Sequence, residues 1–203
     1  MGRPREFDER AVLEAAIETF WVKGYEGTST RDLTASTGLT PSSMYSAFSD
    51  KRTLFRRALD RYVHRLREKF SRFETYASPS LAISTFFDEA IERAINDKQQ
   101  LGCMLVNSAL EASPSDPEFR KAIAQELLLI QDFFCRCFIA GQKAGEISTI
   151  HSADEAANLL FSILVGLRVL ARVRPERNLL AGAVRPALIM LGLPALPSES
   201  RKS

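Results

Sequence analysis

Histidine and cysteine are scarce in this chain, with two and three copies in 203 residues. His64 and His151 stand far apart. Cys135 and Cys137 lie two positions apart on one helical stretch, and a helix turning about 100° per residue points them roughly 200° away from each other. No metal-ligand set forms from these residues. Also missing are a glycine-rich phosphate loop, a nucleophile elbow and a paired-carboxylate motif, so the chain is expected not to be an enzyme and to carry no cofactor. No β-strand pattern or internal repeat appears, and the fold expected is all-α. The longest strongly apolar stretch, around Ala156 to Leu167, falls short of the roughly 18 residues of a membrane span, and Arg168 ends it. The opening residues show no apolar leader core. The expected location is the cytoplasm, without membrane attachment and without structural disulfides.

Charge is present but unevenly placed. Residues 1–73 hold 14 Lys/Arg against 10 Asp/Glu, and residues 74–203 hold 13 against 15, for a chain total of +2. A basic front and a faintly acidic rear suit a polyanion partner for the front alone.

Within that front, residues 29 to 48 read STRDLTASTGLTPSSMYSAF. Ser29 can cap a first short helix, with Asp32 answering from its third position. Gly38 supplies the positive φ of a tight reversal. Thr40 can cap a second short helix, and Pro41 suits its first position, where no N–H is needed. Helical spacing puts Ser42, Tyr45 and Ser46 on one face and Met44, Ala47 and Phe48 on the other. One packed face and one hydroxyl-rich face suit the major groove of DNA. An amphipathic helix over residues 8 to 23 precedes this unit, capped by Asp8 and ended by Gly24. The arm Gly2-Arg3-Pro4-Arg5 ahead of it is short and basic, able to follow phosphates or enter a minor groove. After the unit, Lys51 opens a long helix to about Phe73 with apolar residues at three-and-four spacing. Its outer arginines read as a solvated face.

Residues 8 to 55 resemble the N-terminal domain of the TetR family of bacterial transcriptional regulators. The likeness rests on Gly24-Tyr25, Thr28-Ser29-Thr30-Arg31-Asp32-Leu33, Thr37-Gly38-Leu39-Thr40, Met44-Tyr45-Ser46-Ala47-Phe48 and Ser49-Asp50-Lys51 with Leu54-Phe55. The resemblance implies a homodimer that binds a double-stranded operator through residues 29 to 48 and answers a small-molecule inducer in a helical C-terminal domain. It places Thr28, Tyr45 and Lys51 at phosphates, and Arg31, Thr40, Ser42, Ser43 and Ser46 within reach of base edges. This chain departs from many members at Ser46, where they carry a larger side chain. A serine hydroxyl both donates and accepts, so it separates bases poorly, and no Asn or Gln lies in this helix. Sequence choice is therefore expected from Arg31, Arg3, Arg5, bridging waters and DNA shape.

The expected organisation is a DNA-binding helix-turn-helix domain over 1–50, a connecting helix over 51–73, a ligand-binding and dimerisation domain over 74–191 and a flexible tail over 192–203. Further helices are expected near 80–97, 102–112, 117–143, 153–173 and 176–191, the last kinked at Pro186. Among them the resemblance puts a ligand pocket, with candidate walls Phe87, Ile91, Met104, Phe133, Phe134, Phe161 and Val165 and polar handles Asn107, Ser108, Glu111 and Asn158; plain core packing is the competing reading of the apolar ones. Such walls would favour a hydrophobic or aromatic ligand. The last two helices are apolar on more than one face, which points to a bundle shared with a second copy through Leu164, Leu167, Leu170, Leu180, Val184, Leu188 and Leu191. Cys103 follows Gly102 at a helix start, where a thiol pKa falls; it reads either as a redox or electrophile sensor or as a small buried apolar residue. Two further alternatives stay open: an all-α enzyme or carrier, and a DNA-binding regulator that works through a protein partner.

Overall fold

The computed structural model describes residues 7–75 and 78–200, so Arg3 and Arg5 of the expected arm lie outside the described residues. Every regular element among them is helical: α1 Glu9–Gly27, α2 Thr30–Thr37, α3 Pro41–Phe48, α4 Lys51–Glu74, α5 Pro79–Asn96, α6 Met104–Glu111, α7 Pro117–Lys143, α8 Ala153–Leu170, α9 Arg177–Met190 and α10 Pro197–Ser200.

The caps explain most boundaries. Asp8 accepts from the N–H groups of Arg10 and Ala11. Ser29 and Asp32 form a reciprocal capping box, as do Ser152 and Glu155. Thr40 accepts from Ser43 N–H, and Pro41 fills the first helical position. Each such cap satisfies backbone donors that the first turn leaves open. The α1 run carries on to Gly27, past the expected stop, but is broken at Gly24 with φ 75° and ψ 170°.

The helix α4, about 36 Å long, joins two aromatic clusters. At its first half Phe55 meets Phe20 at 5.1 Å, Tyr25 at 4.9 Å and Phe119 at 5.4 Å. At its second half Phe70 stacks on Phe133 at 4.7 Å, and Phe73 meets Phe86 at 5.6 Å. Phe87 and Phe134 stack behind them at 5.4 Å. Burial of these rings fixes α4 against the reading unit at one end and against α5 and α7 at the other.

Several α4 arginines are not a solvated face. Arg57 pairs with Glu9, Arg61 and Arg65 reach Glu14 at 2.5 and 3.0 Å, and Arg72 reaches Glu89 at 2.9 Å. Helices α1 and α5 place these carboxylates alongside α4, which the linear pattern could not reveal. The expected flexible tail also needs correction. Leu193 and Leu196 are buried, and Ser198 binds Asp88 through both its N–H and its hydroxyl, at 3.1 and 2.5 Å. Two apolar residues and one carboxylate partner dock a segment whose Pro and Ser content reads as disorder. Helix α9 runs through Pro186 to Met190.

Candidate nucleic-acid interface

Helices α2 and α3 pack through Leu33, Met44 and Phe48, all at most 1% exposed. Between them Gly38 holds φ 71° and ψ 3°, and its N–H donates to Thr34 O, closing α2. This packing leaves Arg31, Thr40, Pro41, Ser42, Ser43, Tyr45 and Ser46 exposed on the α2–α3 unit. The Ser42 and Ser46 hydroxyls make no hydrogen bond among the described residues, whereas the Thr40 hydroxyl donates to Ser43 Oγ at 3.0 Å. The Tyr45 hydroxyl lies 3.1 Å from Thr30 Oγ1, which fixes its ring across the two helices. Arg31 has no ion pair among the described residues and extends the hydroxyl face with the one long cationic fork near it. On the opposite side Lys23 and Ser29 hold the Asp32 carboxyl well below the usual carboxylate range, so the α2 cap stays ionised.

Two expected phosphate contacts are placed differently. Thr28 is 2% exposed, and its hydroxyl donates inward to Gly24 O at 2.5 Å. Lys51 donates to Thr28 O at 3.0 Å and lies 4.5 Å from the Tyr25 ring centroid. Both residues brace the bend between α1 and α2; the Thr28 hydroxyl is turned inward there, while the half-buried Lys51 ammonium gives one of its three N–H groups to Thr28 O.

That bend has a partner the sequence reading assigned elsewhere. Glu111, expected as a pocket handle, accepts instead from Tyr25 N–H at 2.7 Å and Glu26 N–H at 3.3 Å. A carboxylate on backbone N–H groups caps the restarted helical turn after Gly24. A Cβ on Gly24 would lie 2.3 Å from Glu111 Oε1 and would push that carboxylate aside, and the φ of 75° itself favours glycine. Nearby, Arg52 donates to Asp116 at 2.6 Å and holds that carboxyl below its ordinary range. These two contacts tie the reading unit to the start and end of the α6–α7 connection. Neither has a local sequence signal; only the need of the Gly24 break for an acceptor hints at the first.

The expected ligand walls divide. Phe87, Ile91, Met104, Phe133 and Phe134 are at most 2% exposed and belong to the packed core. Phe161 and Val165 do line a cavity of about 30 Å³ bounded by α4, α5, α6 and α8. The buried Asn107 is spent on Leu101 O and on Arg172, Ser108 donates to Met104 O, and the exposed Asn158 accepts from Gln131. Cys103 is 6% exposed on the cavity wall, with its sulfur 3.5 Å from the Tyr62 hydroxyl. Burial pushes the Tyr62 hydroxyl pKa up.

Of the expected dimer residues, Leu164, Leu167, Leu180, Val184, Leu188 and Leu191 are at most 3% exposed within the single chain, and only Leu170 is half-buried. Their stripe is consumed by contacts of α8 and α9 with the rest of their own domain. The exposed large apolar residues on or just after these two helices are Val169, Val173, Ile189 and Met190, at 39, 72, 77 and 55% exposure. The mid-helix Gly166 and Gly182 have open space where a Cβ would stand.

Comparison with known proteins agrees with this architecture. Residues 12–58 match the model of bacterial regulatory proteins of the tetR family, and residues 81–186 match a tetracyclin repressor-like C-terminal domain. The chain is 31% identical over 193 residues to the uncharacterised HTH-type transcriptional regulator YezE of Bacillus subtilis, covering 94% of this chain and 100% of that one. It is 32% identical over 178 residues to the HTH-type transcriptional repressor ComR of Escherichia coli, covering 84% and 82%. Among solved structures, a cysteine-substituted variant of the regulator CifR in complex with 26-bp double-strand operator DNA superposes with a TM-score of 0.84 at 31% identity, covering 95% of this chain and 100% of that one.

Proposed function

The chain belongs to the TetR family of bacterial regulators, and from that premise we propose that it is a dimeric repressor, released from a roughly palindromic operator by a small molecule. The observation that carries the DNA reading is the α3 surface. Met44 and Phe48 are buried, while Pro41, Ser42, Ser43, Tyr45 and Ser46 are all exposed on an eight-residue helix. An exposed small-residue face fits closely into a major groove, and Arg31 supplies the bidentate donor that serine lacks. The likeness to operator-bound CifR supports the same docking. In this reading Arg3 and Arg5 track the DNA beside the reading helix. A gel-shift series against salt tests it: affinity should fall steeply as counterions compete, and a flat salt profile would remove the operator reading.

The second copy docks through the outward side of α8 and α9. Val169, Ile189 and Met190 supply apolar area, and Gly166 and Gly182 permit close approach of two backbones. A glycine inside a helix costs about 1 kcal/mol relative to alanine, and neither has an intrachain contact that requires it. Two-fold symmetry then sets two reading helices about one DNA turn apart. Sedimentation showing only monomer at micromolar concentration would sink both the dimer and the palindrome.

Ligand response is supported by where the cavity sits. Tyr62, Leu66 and Phe70 of α4 form one of its walls, and the same helix carries Arg52 at the reading unit. A ligand that moves this wall moves a helix rooted beside α3. Melting shifts across a metabolite library, followed by operator release, test this against control by a protein partner. A second reading, control through modification of Cys103, is favoured by its place on the same wall. If Cys103 stays unmodified after mild electrophile treatment of the native protein, that reading falls.

A further inference from the structure

The cavity bounded by α4, α5, α6 and α8 combines two chemistries. Phe70, Phe86 and Phe161 give it an apolar side, and Lys69, Arg93 and Arg168 give it a cationic one. The neighbouring carboxylates are already engaged. Glu89 binds Lys69 at 3.2 Å and Arg72 at 2.9 Å. Asp97 accepts from Gln99 N–H at 3.0 Å and Leu101 N–H at 2.8 Å within its own loop. Glu18 lies outside the cavity, on a neighbouring depression beside Trp21 that Arg93 and Asp97 also border, and it makes no ion pair with Arg93 among the described residues. Arg93 rests over the Trp21 ring at 5.5 Å, and neither Arg93 nor Arg168 has a carboxylate partner among the described residues. Of the three cations only Lys69 is paired with a carboxylate among the described residues, and it shares Glu89 with Arg72. Burial pushes the Lys69 ammonium down, and the Arg168 and Arg93 charges act in the same direction against Glu89. Arg93 is exposed and Arg168 half-buried, so water hydrates both guanidinium groups, and an anion that displaces this water meets two cations that no carboxylate among the described residues already binds.

We infer that this cavity binds a small organic monocarboxylate, its carboxylate held by Arg168 and Arg93 and its short apolar body laid against Phe70, Phe86 and Phe161. The assignment rests on the ligand-responsive reading above and names the class of inducer. The free space is small, so the ligand is small too, or it enters as the half-buried Leu66, Phe161 and Val165 give way. The Tyr62 hydroxyl, whose proton burial keeps in place, offers a further donor at the same wall. Gly102 suits this arrangement: its φ of 70° favours glycine, and it passes α8 so closely that a Cβ would fall 3.1 Å from Arg168 O, tighter than ordinary contact. This sets Cys103 on the cavity wall and brings the backbone against the turn of α8 that bears Arg168.

The test uses full-length protein with benzoate and butyrate beside their uncharged matches, benzamide and butyramide, at constant ionic strength. The acids should raise the melting temperature and weaken operator binding, and the amides should do neither. Arg168→Gln should weaken benzoate binding by about ten- to hundredfold, as loss of a charge-assisted bond does, with Arg168→Lys falling between. Should Arg168→Gln not fold, the wild-type protein gives a second readout: benzoate in this cavity slows alkylation of Cys103. Equal response to acid and amide, no response to either, or unchanged Cys103 alkylation at saturating benzoate would each overturn the assignment. Operator release by uncharged members of a metabolite library would leave the ligand-responsive reading standing while the carboxylate falls. A library that releases nothing removes both.

Discussion

Helices α3 and α6 have the same length, eight residues, and opposite designs. The first is capped by Thr40, opened by Pro41 and exposed along most of its surface. The second has no side-chain cap at Cys103 and is buried from Met104 through Ser108. An eight-residue helix is too short to be stable alone, so each must borrow stability. Helix α3 takes it from local caps and two apolar anchors, which frees its outer side for a partner. Helix α6 takes it from the core, and its last residue, Glu111, reaches out to close the α1 break. One short helix is built to face outward and the other to connect.

That contrast can be broken in order of effect. Leu105→Ala, inside α6 at 0% exposure, should cost about 2–5 kcal/mol in urea unfolding, while Ser46→Ala on α3 should stay within about 0.5 kcal/mol. Equal losses would show that the two helices are supported alike. Glu111→Ala should cost about 1–3 kcal/mol by leaving the Tyr25 N–H without its acceptor, and should weaken operator binding although Glu111 lies away from the α3 face. Unchanged stability would mean the cap is idle. Arg31→Ala should relax base preference on operator variants by about 1–3 kcal/mol and Ser46→Ala much less; the reverse order would hand sequence choice to the serines. The smallest effect is in pH. Arg52 depresses the Asp116 carboxyl in the folded state, so this contact adds stability above the unfolded carboxylate pKa, and the gain fades as pH falls through the lower folded value. Asp116→Asn should flatten the acid limb of a stability–pH curve slightly; an unaltered limb would show that the Arg52 pair contributes nothing.

The sequence reading succeeded where structure is set by neighbours a few residues apart. The Ser29–Asp32 box, the Gly38 reversal, the Thr40–Pro41 start and the burial of Met44 and Phe48 all follow from local spacing. It fell short where a residue has more than one face to turn. Leu164 and Leu188 read as apolar enough to share with a second chain, but the single chain already covers them. Thr28 and Glu111 are polar residues near expected sites, and both are taken up by the Gly24 bend. The cavity cations Arg93 and Arg168 lie 75 residues apart in sequence, and no linear pattern pairs them.

The Glu111 cap also has a bearing on synthesis. Tyr25 leaves the ribosome 86 residues ahead of the carboxylate that receives its N–H. At ordinary elongation rates the reading unit therefore exists for about 4–17 s with that donor unanswered. A nascent chain carries a complete DNA-facing surface before it carries the clamp that aligns it, so a truncated product ending before α6 would be a poorly held reader.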